Sequence, residues 1–262
     1  MRRREFLLTV GGGIATWTFA AHAQPDNWAQ LRQQAEAAAD KIGQFIKDIE
    51  GQIGRITQLP WTASALNQRR FDALRLLRQV PAITEIAQLD ASGKEQLRVA
   101  RLPTVAVGVG ADFSKEFAVA IAQKIYYGPV YFRGASEPYM TLLLAGAQRD
   151  AGVSVAQVSL KLSQDVVSST KVGDHGVAYV VDANDRVIAH PDISLVQRDF
   201  SSLAHVQTAR AAGSDPLTGG VPVTRDSNGR EVLTTYAPVA RPNLGWLVFV
   251  ELPVEEANTL AK

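Results

Sequence analysis

A cluster of tyrosines surrounds one arginine near the middle of the chain. Four of the six tyrosines fall within the segment 126–139, which also contains an arginine and a glutamate. A guanidinium can hold a carboxylate through two parallel hydrogen bonds, and tyrosines offer apolar walls and hydroxyl donors. The composition of this segment therefore predicts a pocket for a small organic anion. The candidate ligand-binding residues are Tyr126, Tyr127, Tyr131, Arg133, Glu137 and Tyr139, with Arg101 and Asp112 as additional candidates.

The same residues also allow a structural interpretation. The tyrosines could pack the two faces of a sheet, and Arg133 could pair with Glu137 at the surface. A shift of one residue in strand register moves every side chain to the opposite face. The sequence alone therefore leaves open which tyrosines share a face.

Enzymatic chemistry has little support in the sequence. The chain has no cysteine, no His-Glu-x-x-His metal motif, no phosphate-binding glycine loop and no Gly-x-Ser-x-Gly nucleophile motif. Ser136, Asp182 and His190 could be assembled into a catalytic triad, which leaves a hydrolase as a remote alternative. The net charge of +1 gives no reason to expect nucleic acid. We therefore predict a non-enzymatic protein without a cofactor or a metal.

Residues 1–23 have the features of an export signal. A basic start at 2–4 precedes a mostly apolar segment, and 21–23 is Ala-His-Ala, which fits a small-x-small cleavage site. The segment 3–7, RREFL, also resembles the twin-arginine export signature. We therefore expect the mature chain to begin near Gln24 and to work in the periplasm, either free or attached to the outer face of the plasma membrane.

The segment 24–60 is predicted to be one long helix. Apolar or small residues recur at alternating steps of three and four, and Pro60 ends the pattern. This spacing is typical of an amphipathic helix that lies on its own domain, and equally of a coiled-coil seam that forms a homodimer through 26–59. Both interpretations stay open. The residues of the stripe are Trp28, Leu31, Ala35, Ala38, Ile42, Phe45, Ile49, Ile53, Ile56 and Leu59.

The rest of the chain contains an internal repeat. The segments 86–94, IAQLDASGK, and 178–186, AYVVDANDR, both predict a strand, an Asp-led turn and a second strand. An amphipathic helix follows each hairpin, at 114–126 and 196–211, and then a strand pair and a final strand. Each half is therefore predicted to hold five antiparallel strands with a helix between the second and third. Two further helices are predicted at 71–80, with Phe71, Leu74, Leu77 and Val80 on one face, and at 162–171.

This organisation, together with the segment 173–191, GDHGVAYVVDANDRVIAHP, resembles the double Cache domain. That family is the extracytoplasmic ligand-binding unit of bacterial sensor kinases, chemoreceptors and nucleotide cyclases. The ending at 245–257, GWLVFVELPVEEA, is similar to the last strand of the family and its run into an exit helix. The resemblance covers 26–253. It implies an α+β fold of two tandem PAS-like antiparallel-sheet modules behind a long N-terminal helix.

The resemblance also implies an organisation and a function. The membrane-distal module would span 61–165, the membrane-proximal module 166–253, and the exit helix would start within 254–262. The chain would then be an extracytoplasmic sensor that binds a small metabolite in its distal module and acts through a membrane-bound signalling partner.

Two departures from the family pattern qualify this picture. Family members normally continue into a transmembrane span and an output domain, whereas this sequence stops at Lys262. A piece of a longer receptor, a free periplasmic binding protein, a sensor with a separate partner and a ligand-free structural dimer module all stay open. Amino-acid-sensing members carry a Tyr followed by Arg-x-Trp-Tyr. Tyr131 and Arg133 match that motif, but Ala135 and Ser136 do not, which argues against an amino-acid ligand.

Overall fold

The computed structural model describes residues 25–58, 61, 63–101, 113–134, 136–148, 150–212 and 223–259. The predicted export signal, the helix end at 59–60 and the candidate Asp112 lie outside these residues. Within the described ranges, no helix combines the length and the apolar character needed to cross a membrane.

Two five-stranded antiparallel sheets form the body of the protein. The first contains β1 (Ile83–Leu89), β2 (Glu95–Ala100), β3 (Ile125–Arg133), β4 (Glu137–Ala145) and β5 (Val153–Ser159), in the order β2-β1-β5-β4-β3. The second contains β6 (Val177–Val181), β7 (Val187–Ala189), β8 (Thr224–Arg225), β9 (Glu231–Pro238) and β10 (Leu247–Pro253), in the order β7-β6-β10-β9-β8. The strand order is the same in both, which confirms the predicted repeat and the α+β fold class.

Six helices accompany the sheets within the described residues. They are α1 (Pro25–Thr57), α2 (Ala63–Gln79), α3 (Ser114–Gln123), α4 (Lys161–Ser169), α5 (Ala204–Ala212) and α6 (Val254–Thr259), with a short 3-10 turn at Ile193–Leu195. α3 and α5 each follow the first hairpin of their sheet, in the position predicted for the helix of each half.

The long helix α1 lies across both sheets. It packs on β4 and β5 of the first sheet and on β9 and β10 of the second. Its apolar stripe is buried there and forms the largest core with residues of both sheets. The stripe is therefore used within the chain, as the first of the two interpretations predicts. A homodimer through 26–59 stays a prediction. The buried apolar residues of α1 are Leu31, Ala35, Ala38, Ala39, Ile42, Ile46, Ile49, Ile53 and Ile56.

An aspartate stabilises each of three hairpin turns in the same way. The carboxylates of Asp90, Asp182 and Asp226 each accept hydrogen bonds from the backbone N–H groups two and four residues later, at 2.8–3.1 Å. Although burial opposes the effect, bonds from Arg230 and Asn228 hold the pKa of Asp226 below its usual range. In a tight turn some backbone N–H groups have no backbone acceptor, and the aspartate carboxylate accepts their hydrogen bonds instead. This explains why an aspartate recurs at these turns.

The predicted inner face of α2 is confirmed in its second half, where Leu77 is buried and Val80 packs against the core, and is wrong in its first half. Phe71 is 56% exposed and Leu74 is 37% exposed, whereas Arg69 is fully buried. The Arg69 guanidinium lies 3.8 Å from the centre of the Trp61 ring and donates a 3.0 Å hydrogen bond to Gln88. The first half of α2 therefore faces inward with Arg69 and Ala73, which the apolar pattern of the sequence did not predict.

Two other helices are shorter than predicted. α3 ends at Gln123 because Lys124 adopts a left-handed conformation with φ 70°, and Tyr126 and Tyr127 therefore belong to β3. α5 begins at Ala204, and Phe200 packs on the second sheet from the irregular segment before it.

Candidate functional site

Pairing between β3 and β4 brings three of the predicted residues onto one face of the first sheet. Tyr131 lies opposite Tyr139, and Arg133 lies opposite Glu137. Side chains two residues apart in a strand share a face, so Tyr131, Arg133 and Tyr139 form one cluster. This face is opposite to the one that contacts α1.

The cluster is built around the Arg133 guanidinium. The rings of Tyr131 and Tyr139 stack with centroids 5.9 Å apart. The guanidinium lies 4.1 Å from the centre of the Tyr139 ring, and its Nη2 donates to the Tyr131 hydroxyl at 3.2 Å. The Arg133 Nε is buried without a hydrogen-bond partner. Because a buried donor without a partner is costly, this atom marks a place where a bound acceptor would be stabilised.

Gln157 on the central strand β5 orients this cluster. Its side-chain oxygen accepts hydrogen bonds from the hydroxyls of Tyr131 and Thr141, the latter at 3.0 Å. Gln157 is 4% exposed and lies opposite both Thr141 and Glu85. Burial raises the pKa of Tyr131, although the charge of Arg133 opposes this shift. The tyrosine is therefore a neutral hydroxyl that is held in one orientation.

A buried carboxylate completes the polar face. Glu85 on β1 is 2% exposed and forms an ion pair through Oε1 with Arg98 of β2, while its Oε2 has no hydrogen-bond partner. Burial raises the pKa of Glu85, although the charges of Arg98 and Arg133 lower it. Burial of a carboxylate oxygen without a donor is unfavourable. The site therefore offers an unpaired acceptor at Glu85 as well as an unpaired donor at Arg133.

Helix α3 covers the other end of the same face. There Tyr126 packs with Phe117 and Ala120 of α3 over a small apolar cluster of the first sheet. Burial raises the pKa of Tyr126. The predicted candidate Tyr126 is therefore part of the apolar support beside the polar cluster.

Tyr127 lies on the opposite face, so the structure separates it from the cluster. Its hydroxyl donates to Glu50 of α1 at 2.5 Å, and the same carboxylate pairs with Arg241, which follows β9. Burial and the adjacent Glu50 raise the pKa of Tyr127. This residue joins the first sheet, α1 and the second half of the chain.

The remaining predicted residues also lie apart from the cluster. Arg101 donates through Nη2 to the carbonyls of Leu77 and Val80 at the end of α2. Glu137 is exposed. The structural interpretation paired Arg133 with Glu137, whereas Arg133 donates a hydrogen bond to Tyr131. Asp112 lies outside the described residues.

Three polar residues of the face were not identified from the sequence. Glu85, Thr141 and Gln157 each interrupt a strand whose neighbouring positions are mostly apolar and buried. Burial of polar groups in such strands requires specific partners. β1 and β5 contain further polar residues, so no local signal in the sequence distinguishes Glu85 and Gln157 from them.

Asp182 and His190, two residues of the hydrolase triad that the sequence left as a remote alternative, form hydrogen bonds within their own turns. Asp182 accepts from the backbone of Asn184 and Arg186, and His190 Nδ1 accepts from the backbone N–H of Asp192 at 2.8 Å. Burial lowers the pKa of His190. Among the described residues, no three His, Cys, Asp or Glu side chains group as a metal site requires.

Comparison with known proteins identifies the family. The Cache domain family matches residues 20–261, nearly the whole chain. The chain belongs to the Cache domain family. The resemblance of the segment 173–191 to this family is thereby confirmed.

Solved Cache structures share this fold. The extracellular domain of mmHK1S-Z3, described as a histidine kinase, matches with a TM-score of 0.71 at 16% identity, over 91% of this chain and 98% of that chain. The ligand-binding domain of the amino acid chemoreceptor PctC of Pseudomonas aeruginosa PAO1, solved with GABA, matches with a TM-score of 0.64 at 16% identity. That match covers 87% of this Cache chain and 100% of the PctC domain.

The sequence is also similar to the methyl-accepting chemotaxis protein PscA of Pseudomonas syringae pv. tomato. It is 28% identical over 111 residues, which make up 42% of this chain and 16% of PscA. This Cache chain therefore spans about one sixth of the length of that relative.

Proposed function

We propose that the first sheet of this Cache domain binds a small metabolite that carries both a carboxylate and an ammonium group. The observation that supports the proposal is the pair of buried, unpaired atoms on one sheet face, the Arg133 Nε donor and the Glu85 Oε2 acceptor. A ligand carboxylate would accept from Arg133, and a ligand ammonium would donate to Glu85. The stacked rings of Tyr131 and Tyr139 would supply the apolar wall.

This proposal changes the predicted ligand class from an anion to a zwitterion. GABA, the compound in the PctC structure, carries the same two groups. Ala135 and Ser136 depart from the amino-acid motif, but Glu85 and Tyr139 offer other contacts on the same face. Arg98 pairs with both Glu85 and Glu95, so these three residues and Arg133 together carry two positive and two negative charges, which suits a ligand without net charge.

The protein would act as an extracytoplasmic sensor, in keeping with the chemoreceptor and kinase domains that it resembles. We propose that it is exported to the periplasm and that it reports to a membrane-bound signalling partner without catalysing a reaction. The 61–165 part would be the membrane-distal, ligand-binding module, and the 166–253 part would be the membrane-proximal module.

Strand β3 would pass ligand binding on to the second half of the chain. Its two faces carry different contacts: Tyr131 and Arg133 face the proposed site, while Tyr127 bonds to Glu50 on the other face. The carbonyl of Val130 also accepts from Arg186 in the β6–β7 hairpin. Ligand binding that favours one position of β3 would shift the population of both junctions.

A thermal-shift screen of the mature chain tests the proposed function. Amino acids, ω-amino acids, simple carboxylates and simple amines are each added, and the unfolding temperature is measured. A bound ligand stabilises by RT ln(1 + [L]/Kd), which is about 2.7 kcal/mol at one hundred times Kd. We expect compounds with both groups to give the largest shifts. If no compound in any class shifts the unfolding temperature, the protein is a structural module and the proposal is wrong.

Replacing Glu85 by glutamine tests the ammonium contact separately. We expect the variant to bind amino acids about ten- to hundredfold more weakly, because a charge-assisted hydrogen bond of about 1.5–3 kcal/mol is lost. Simple carboxylates should bind the variant and the natural protein equally. In the natural protein, amino-acid affinity should weaken as the pH falls through the raised pKa of Glu85, since only the ionised form attracts an ammonium. Calorimetric titration at several pH values measures both effects, and a pH-independent affinity would contradict the Glu85 contact.

A further inference from the structure

The loop 173–176, Gly-Asp-His-Gly, contacts the helix that follows the last strand. The backbone N–H groups of Asp174 and His175 both donate to the carboxylate of Glu256 in α6, the latter at 3.0 Å. His175 Nδ1 lies 3.4 Å from the same carboxylate. The Glu256 side chain is 12% exposed, whereas that of His175 is 76% exposed. We propose that this loop is a latch that holds α6 against the second sheet through Glu256.

Close packing requires both glycines of the loop, Gly173 against Glu256 itself and Gly176 against the backbone beside it. Gly173 has φ +57°, and a Cβ there would lie 2.1 Å from Glu256 Oε1. A Cβ on Gly176 would lie 2.4 Å from the carbonyl oxygen of Val172 and 2.6 Å from that of Glu251. Glycine is the residue that tolerates positive φ and close backbone approach. Successive backbone N–H groups that point at one carboxylate form an anion-binding concavity of the kind called a nest.

The latch joins the start of one strand to the end of its neighbour. The loop runs directly into β6, and α6 runs directly out of β10, which pairs with β6. A displacement of this end of β6 is therefore passed to α6 through the Glu256 carboxylate as well as through the sheet. Within the described part of α6, Ala257 is buried and Val254 packs partly against the core, and the Glu256 carboxylate adds a polar contact to this apolar one.

Hydrogen exchange on the mature chain, followed by mass spectrometry, tests the latch without any ligand. In Glu256→Ala we expect the segments 173–176 and 254–259 to exchange about ten- to hundredfold faster, because two hydrogen bonds to a charged group are lost. The core of β10 should exchange at the natural rate. Glu255→Ala is the matched control, since Glu255 is the adjacent exposed acid on the same helix, and it should leave both segments unchanged.

A second variant approaches the contact from the loop. Gly173→Ala should release α6 in the same way, because its Cβ would collide with Glu256. Gly134→Ala is its control: Gly134 has nearly the same φ, +59°, but nothing lies within 4 Å of its added Cβ. Unchanged exchange in Glu256→Ala overturns the latch. Equal acceleration in Glu255→Ala, or uniform acceleration that includes β10, overturns it as well.

Discussion

Replacing Arg133 by alanine should abolish binding of the carboxylate ligand and leave the fold intact. The guanidinium is half-buried over the Tyr139 ring, and its buried Nε has no hydrogen-bond partner. Removing one partner of a buried, hydrogen-bonded charge pair costs about 2–5 kcal/mol, which corresponds to a loss of affinity of at least about thirtyfold. Isothermal titration calorimetry with the strongest compound of the thermal-shift screen measures the change.

Two further variants control this experiment. Arg133→Lys keeps the charge but loses the planar fork, so we expect an intermediate loss of affinity. Arg101→Ala removes another arginine that the sequence predicted as a ligand-binding candidate. In the structure, Arg101 donates hydrogen bonds to backbone carbonyls at the end of α2. The Arg101→Ala variant should lower the stability slightly and leave the affinity unchanged. If Arg133→Ala binds as tightly as the natural protein, the ligand lies elsewhere.

Replacing Ile46 by alanine should cause a large loss of stability. Ile46 is 1% exposed and lies in the core between α1 and the two sheets. Truncation of a buried isoleucine costs about 2–5 kcal/mol, because it removes apolar contacts and leaves a cavity. For a chain of this size, each kcal/mol lowers the unfolding temperature by about 2–4 °C. Differential scanning calorimetry measures the shift, and the exposed neighbour Lys47→Ala should change the stability by less than about 0.5 kcal/mol.

The dependence of the unfolding temperature on protein concentration distinguishes the two interpretations of α1, packing within one chain and a homodimer seam. Packing within one chain gives an unfolding temperature that does not depend on protein concentration, whereas a dimer seam gives one that rises with it. We expect no dependence from the buried stripe of α1. A strong dependence that Ile46→Ala removes would show that the stripe also serves a homodimer. Dimerisation through the polar face of α1 stays a separate proposal, which sedimentation analysis of the mature chain tests.

The sequence was sufficient to predict the elements and their repetition. The alternation in 83–89 and 177–181 predicts strands, and the Asp-led turns after them carry their own hydrogen-bond partners. The stripe of α1 predicts a helix with one buried face. These signals are local, because turn chemistry and periodicity depend on residues only a few positions apart.

Only the tertiary structure decided which of the predicted residues share one face of the sheet. In a regular strand, Tyr127 and Tyr131 would share a face, because they are four residues apart. An irregularity between Tyr127 and Val130 shifts the register, so Tyr127 faces α1 and Tyr131 faces the proposed site. A bulge of this kind depends on the pairing with β4.

Glu85 lies on the same sheet face because β1 pairs with β5, a strand still farther away in the sequence. Glu85 lies opposite Gln157, and Gln157 lies opposite Thr141, so β1 shares one face with β5 and β4, which lie far from it in sequence. Periodicity contains no information about such partners, because strand pairing is fixed by packing across the whole sheet. The sequence therefore determined the kind of domain and the arginine–tyrosine cluster. The fold brought Tyr131, Arg133 and Tyr139 of that cluster together and placed Glu85 on the same face of the sheet.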